Sequence, residues 1–157
     1  TLSPAEAMSV TCWVLTDLAG QHDKWFLNRL AGGAADCGFR FGLSAGKPSF
    51  AVPLTNWSHH LVAPEPLPTG RWVHLAGTFD GQTIRLYVDG VEQASTARVG
   101  PLKPSSRPLW LGSYEAGHRA HFTGLLDEVK LYDRALGAAE VRAQYEALAA
   151  QAATAGR

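Results

Sequence analysis

Apolar and polar side chains alternate along most of this chain, and a period of two is the mark of strands that bury one face. In residues 10–14, Val10, Cys12 and Val14 share one side. Residues 39–43 and 50–54 alternate in the same way, and Val73, Leu75 and Phe79 share a parity within residues 72–79. The clearest run is 84–89, where Ile84, Leu86 and Val88 point one way and Arg85, Tyr87 and Asp89 the other. Runs at 109–112 and 125–132 complete the set, so the expected core is Val10, Val14, Phe39, Phe41, Val73, Leu75, Ile84, Leu86, Val88, Leu111 and Leu131. Turn signals separate the runs: residues 45–48, Asp80-Gly81, Asp89-Gly90 and Gly100-Pro101. Asp-Gly between two alternating runs predicts a hairpin, because Gly accepts positive φ and Asp bonds its own backbone.

Many short strands with no helices between them predict an all-β fold, a two-sheet antiparallel sandwich. Only the end departs from this. Val141, Tyr145 and Leu148 recur at helical spacing over residues 138–150, with Gly137 at the N-cap. Residues 1–150 then form one domain and 151–157 a tail or linker. Residues 61–70, with Pro64, Pro66 and Pro68, read as the longest loop.

Composition narrows the class. The chain has 157 residues, 46% of them hydrophobic and 18% charged, which excludes disorder as the main state. Fourteen basic side chains balance fourteen acidic ones, so no global field favours nucleic acid or an anionic membrane surface. No apolar run approaches the ~20 residues that span a bilayer. No signal-peptide pattern opens the sequence, as expected for a piece of a larger multidomain protein. Cys12 and Cys37 are too few for a disulfide framework; one bridge or two buried thiols are both open.

Four blocks, in order, resemble a known family: residues 10–14 (VTCWV), 67–81 (LPTGRWVHLAGTFDG), 85–90 (RLYVDG) and 122–136 (FTGLLDEVKLYDRAL). They are similar to the laminin G-like, concanavalin A-like jelly-roll domains common in bacterial secreted proteins. The resemblance implies a jelly-roll sandwich with a short C-terminal helix in an extracellular or cell-surface protein. It specifies fold better than function, since that fold hosts lectins, adhesion modules and enzyme-attached domains. The family's opening strand, with a Phe-Asp-Gly-like segment, is short or missing here. The edge left open is expected to be covered by the residues before Met8, by the segment after Leu136, or by a partner's strand.

Catalytic constellations are weak. Gly42-Leu43-Ser44-Ala45-Gly46 fits G-x-S-x-G, but that chemistry needs a strand-to-helix elbow and this segment reads as a hairpin. His59, His60, His118 and His121 read as loop histidines, because His118-Arg119-Ala120-His121 lacks the glutamate and helix of a zinc motif. Asp127 and Glu128 are neighbours that point to opposite faces of a strand, so they do not make a glycosidase pair. The resemblance offers Asp127 as a calcium ligand; an internal hydrogen-bond acceptor is the other reading.

Binding chemistry is better represented. Trp13, Trp72 and Trp110 fall within strand blocks and read as packing residues, whereas Trp25 and Trp57 stand beside polar segments. A flat aromatic face stacks on sugar C–H surfaces while nearby polar groups bond hydroxyls; the plainer reading is a lid over the core. The expected ligand site is Trp25, Trp57, His59, Tyr114 and His118. The leading expectation is therefore a non-catalytic module that binds a glycan or polysaccharide. A protein-protein adhesion or surface-assembly domain is the alternative.

Overall fold

The computed structural model describes residues 4–17, 20, 22–30, 38–53, 60–114 and 120–155. In chain order the strands are β1 (Met8–Leu15), β2 (Lys24–Asn28), β3 (Arg40–Ser44), β4 (Lys47–Ala51), β5 (His60–Val62), β6 (Val73–Phe79), β7 (Thr83–Val88), β8 (Val91–Ala97), β9 (Trp110–Leu111) and β10 (Leu125–Tyr132); the helix α1 is Ala138–Ala155. Cys37, one of the two cysteines, lies outside the described residues, and Cys12 is a free, fully buried thiol whose pKa burial raises.

Both Asp-Gly hairpins form. Asp80 holds the first by accepting the N–H groups of Gln82 and Thr83, and Phe79 pairs with Ile84 across it. In the second, Asp89 and Gly90 take φ of 49° and 78°, the left-handed pair that a two-residue hairpin requires. The meander β6-β7-β8 is extended by β1 and β10 into one antiparallel sheet, sheet A, of order β10-β1-β6-β7-β8. The other, sheet B, runs β5-β4-β3-β2-β9. The chain is thus the expected two-sheet jelly-roll sandwich with a C-terminal helix.

The core lies between the sheets. Val10, Val14, Phe39, Phe41, Val73, Leu75, Ile84 and Leu86 are buried there as the alternation predicts, and Val88 and Leu131 pack against them partly covered. Leu111 is a correction, at 60% exposed. Strand β9 has only two residues before the chain turns at Gly112 (φ 71°), and Leu109 takes the inward place instead. The loop expected from residue 61 starts at Ala63, because Leu61 and Val62 pair with Phe50 and Ser49 as an edge strand.

In sheet A the outer strands are β8 and β10, and β1 is interior. β10 and β6 flank β1, and the hydroxyl of Ser9 joins the two ends of the domain by donating to the Arg134 carbonyl and accepting the Leu136 N–H. Helix α1 covers a face, not an edge: Leu136 and Val141 bury Ala76 and Tyr87 on the outside of sheet A. Glu140 starts the helix by accepting the N–H of Gly137 and pairing with Arg134. Among the described residues, no helix is long and apolar enough to cross a membrane.

Candidate functional site

With α1 over sheet A, the chemistry concentrates on the outer face of sheet B. Its strands are built by the same alternation as the core. Phe41 and Leu43 point in from β3, which sends Arg40 and Gly42 out; Phe50 points in from β4, which sends Ser49 out. In β2 the register shifts between Trp25 and Leu27, so Phe26 and Leu27 are both buried in the core while Trp25 and Asn28 face outward.

Arg40 is the centre of this face. Its guanidinium lies 4.3 Å from the centre of the Trp25 ring and 5.3 Å from that of Tyr114. Its Nε donates to the Asn28 side-chain oxygen, and the Asn28 amide donates in turn to the Tyr114 carbonyl. Arg40 is only 4% exposed, and burial pulls its pKa to about 10, against the pull of Tyr114 and Asp23 the other way. A cation held over two aromatic faces out of water is where cation–π attraction is strongest.

Beside it, His60 Nε2 and the Ser49 hydroxyl share a 2.9 Å hydrogen bond, and the His60 ring tilts toward Trp25 at 6.5 Å. Partial burial and the Arg40 charge hold the His60 pKa below its usual value. The Trp25 ring can lie so low because the residue beneath is Gly42: a Cβ there would stand 2.1 Å from the Lys24 carbonyl and 2.9 Å from the indole. Replacing Gly42 with Ala is therefore expected to cost about 1–3 kcal/mol, read as a lower urea midpoint with an unchanged slope.

Of the ligand residues expected from sequence, the structure brings Trp25 and Tyr114 together around Arg40. Trp57, His59 and His118 lie outside the described residues. Trp25 is 2% exposed, so it forms floor; Tyr114 is partly open and His60 is exposed at the rim. Arg40, Asn28, Ser49 and His60 were missed, although the parity of residues 39–43 already puts Arg40 opposite Phe39 and Phe41.

The remaining motifs resolve into structural features. Ser44 precedes a hairpin turn at Ala45 and Gly46, with φ of 48° and 78°, so G-x-S-x-G makes no nucleophile elbow here. Asp127 sits on the edge strand β10, far from the sheet B face, and its carboxylate accepts the N–H of Glu128 at a bulge where Glu128 has φ 50°. Glu128 pairs with Lys130. Calcium takes 6–8 oxygen ligands. Among the described residues, no group of three or more His, Cys, Asp or Glu is placed to hold a metal. Asp127 is exposed, and the one acceptor role its carboxylate shows is this local bond to the next residue's N–H.

A family model for the concanavalin A-like lectin/glucanases superfamily matches residues 1–142. The chain belongs to this superfamily. Among solved structures of similar fold, domain 4 of an extracellular arabinanase from Geobacillus stearothermophilus, solved with arabinotriose, has a TM-score of 0.69 at 23% identity, the match covering 88% of this chain and 66% of that one. A carbohydrate-binding module of a Ruminococcus gnavus sialidase, bound to α2,3-sialyllactose, has a TM-score of 0.71 at 17% identity, over 89% of this chain and 83% of that one. These TM-scores show a shared fold. Human pappalysin-1 is 33% identical over 82 residues, so the match spans 49% of this chain and only 5% of that relative's length.

Proposed function

We propose that this superfamily domain is a non-catalytic glycan-binding module of a larger extracellular protein, and that the ligand seats on the outer face of sheet B. The observation that carries the reading is the Trp25-Arg40-Tyr114 cluster, with its amide, hydroxyl and imidazole neighbours, on the face opposite the helix, where Tyr114 and His60 reach the surface. Sugars need this mixture, an aromatic plane for the C–H face and fixed polar partners for the hydroxyls. Trp25, Asn28 and Arg40 fix the geometry from below, Tyr114 orients the ligand, and His60 supplies a donor or acceptor at the rim. Trp57, His59 and His118 are the further contributors that the sequence nominates. The carbohydrate ligands named for two relatives of the same fold, and the extracellular setting of one, support the proposal.

A glycan array probed with the whole domain tests it. Tyr114→Ala is expected to weaken a positive signal by ~1–3 kcal/mol if the ring is a central anchor, with Trp57→Ala as the companion variant. No glycan signal, or signals unchanged in both variants, would overturn the placement; capture of a protein ligand instead would turn the reading to adhesion.

A further inference from the structure

The other face of the sandwich carries an arrangement that glycan binding does not use. Trp13 of β1 and His74 of β6 are paired neighbours on the outside of sheet A, with ring centres 5.3 Å apart. Tyr145 of α1 stacks on Trp13 at 5.8 Å and 23°, and lies 6.3 Å from His74. The helix comes this close because it crosses the β7-β8 turn at Gly90, where a Cβ would stand 3.2 Å from both Arg142 and Tyr145. His74 is 2% exposed, and its Nδ1 and the Trp13 indole nitrogen are buried with no hydrogen-bond partner. A buried imidazole whose Nδ1 finds no acceptor is favoured there in its neutral form, because a proton on that nitrogen would bring an unpaired charge out of water.

We propose that α1 is an acid-released latch: neutral His74 lets the helix dock on sheet A, and protonated His74 drives it off. The charges around the ring do not offset its burial. Asp89 is turned to the His74 backbone N–H and to Arg71. Lys130 of β10, paired with Glu128, opposes a second positive charge. Asp127 stands beyond Trp13 in the same row, and on the helix Arg142 is paired with Glu146. Burial lowers the His74 pKa from 6.5 to about 4, against the attraction of Asp89. The sign follows: with the helix undocked the ring binds its proton more tightly, so docking is complete above pH 6.5 and fades as pH falls toward 4. Linkage puts the loss at about twenty-fold between pH 7 and pH 5.

Hydrogen exchange of the intact domain, corrected for the intrinsic pH dependence, reads this directly. Protection of residues 138–150 is expected to fall about twenty-fold from pH 7 to pH 5 while β6 and β7 keep theirs, and His74→Gln is expected to remove the pH dependence. Equal helix protection at both pH values, or the same acid loss in His74→Gln, would overturn the latch. Ring NMR of the unmodified domain is independent of any variant: the proposal expects His74 to stay neutral to near pH 5, and titration near 6.5 would overturn it.

Discussion

Replacing Gly77 with Val is expected to prevent folding or to cost more than ~3 kcal/mol. Gly77 lies in the middle of β6, paired with Val10 on one side and Leu86 on the other, and its bare Cα faces the opposite sheet. Phe50 of β4 fills the space a side chain would need: a Cβ at position 77 would stand 2.6 to 2.9 Å from three atoms of that ring. The ring has nowhere to go, since it is fully buried edge-on against Phe41. Packed interiors resist added volume, and overpacking by a few atoms costs about 1–3 kcal/mol. Gly77→Ala is expected within that range, and Phe50→Leu should restore part of the loss. Urea midpoints of the two single variants and the double variant check this; strictly additive losses would mean that the two residues do not share the space.

The second large effect is expected at Arg98, the largest fully buried side chain among the described residues. It follows β8, and its Nε donates to the Val52 carbonyl while one terminal nitrogen donates to the carbonyls of Gly100 and Pro101. The guanidinium also lies 4.5 Å from the centre of the Phe79 ring. One cation thus gathers β6, the end of β4 and the loop after β8, and its charge is spread over carbonyl dipoles. Arg98→Ala strands those carbonyls and opens a cavity against Phe79, for an expected loss of ~3–5 kcal/mol. Arg98→Met keeps the stem and is expected to recover the packing part alone. A thermal scan in which Arg98→Ala melts with the unmodified protein would contradict this role.

The strands that sequence reveals are those whose two faces differ in polarity. Residues 10–14, 73–79 and 84–88 alternate cleanly because one face meets the core and the other meets α1 or water. Strand β2 hides its signal: the register shift at Trp25 sends Phe26 and Leu27 both inward, so the period of two is broken. Strand β8 reads as polar, with Glu92, Gln93, Ser95 and Thr96, because an edge strand has little to bury. Leu111 was misplaced for a related reason, since parity says nothing about where a two-residue strand ends. In the site, Trp25 and Tyr114 were legible as aromatics beside polar segments. Arg40 was not, because a lone arginine between two phenylalanines looks like an ordinary solvent-facing residue; only the fold shows that Tyr114, distant in sequence, closes over it.

The place of β1 between β6 and β10 also sets the order in which the molecule can be completed as it is made. The β6-β7-β8 meander is local and forms early, and β1 can join it once β6 has emerged. The strand that closes the other side of β1 is the last of the sheet to be synthesised. At ~5–20 residues per second, on the order of ten seconds pass between the end of β1 and the start of β10. Throughout that interval β1 presents a bare backbone ladder beside an unfinished core. A ribosome that stalls between Leu111 and Leu125 therefore leaves one side of β1 without its partner strand.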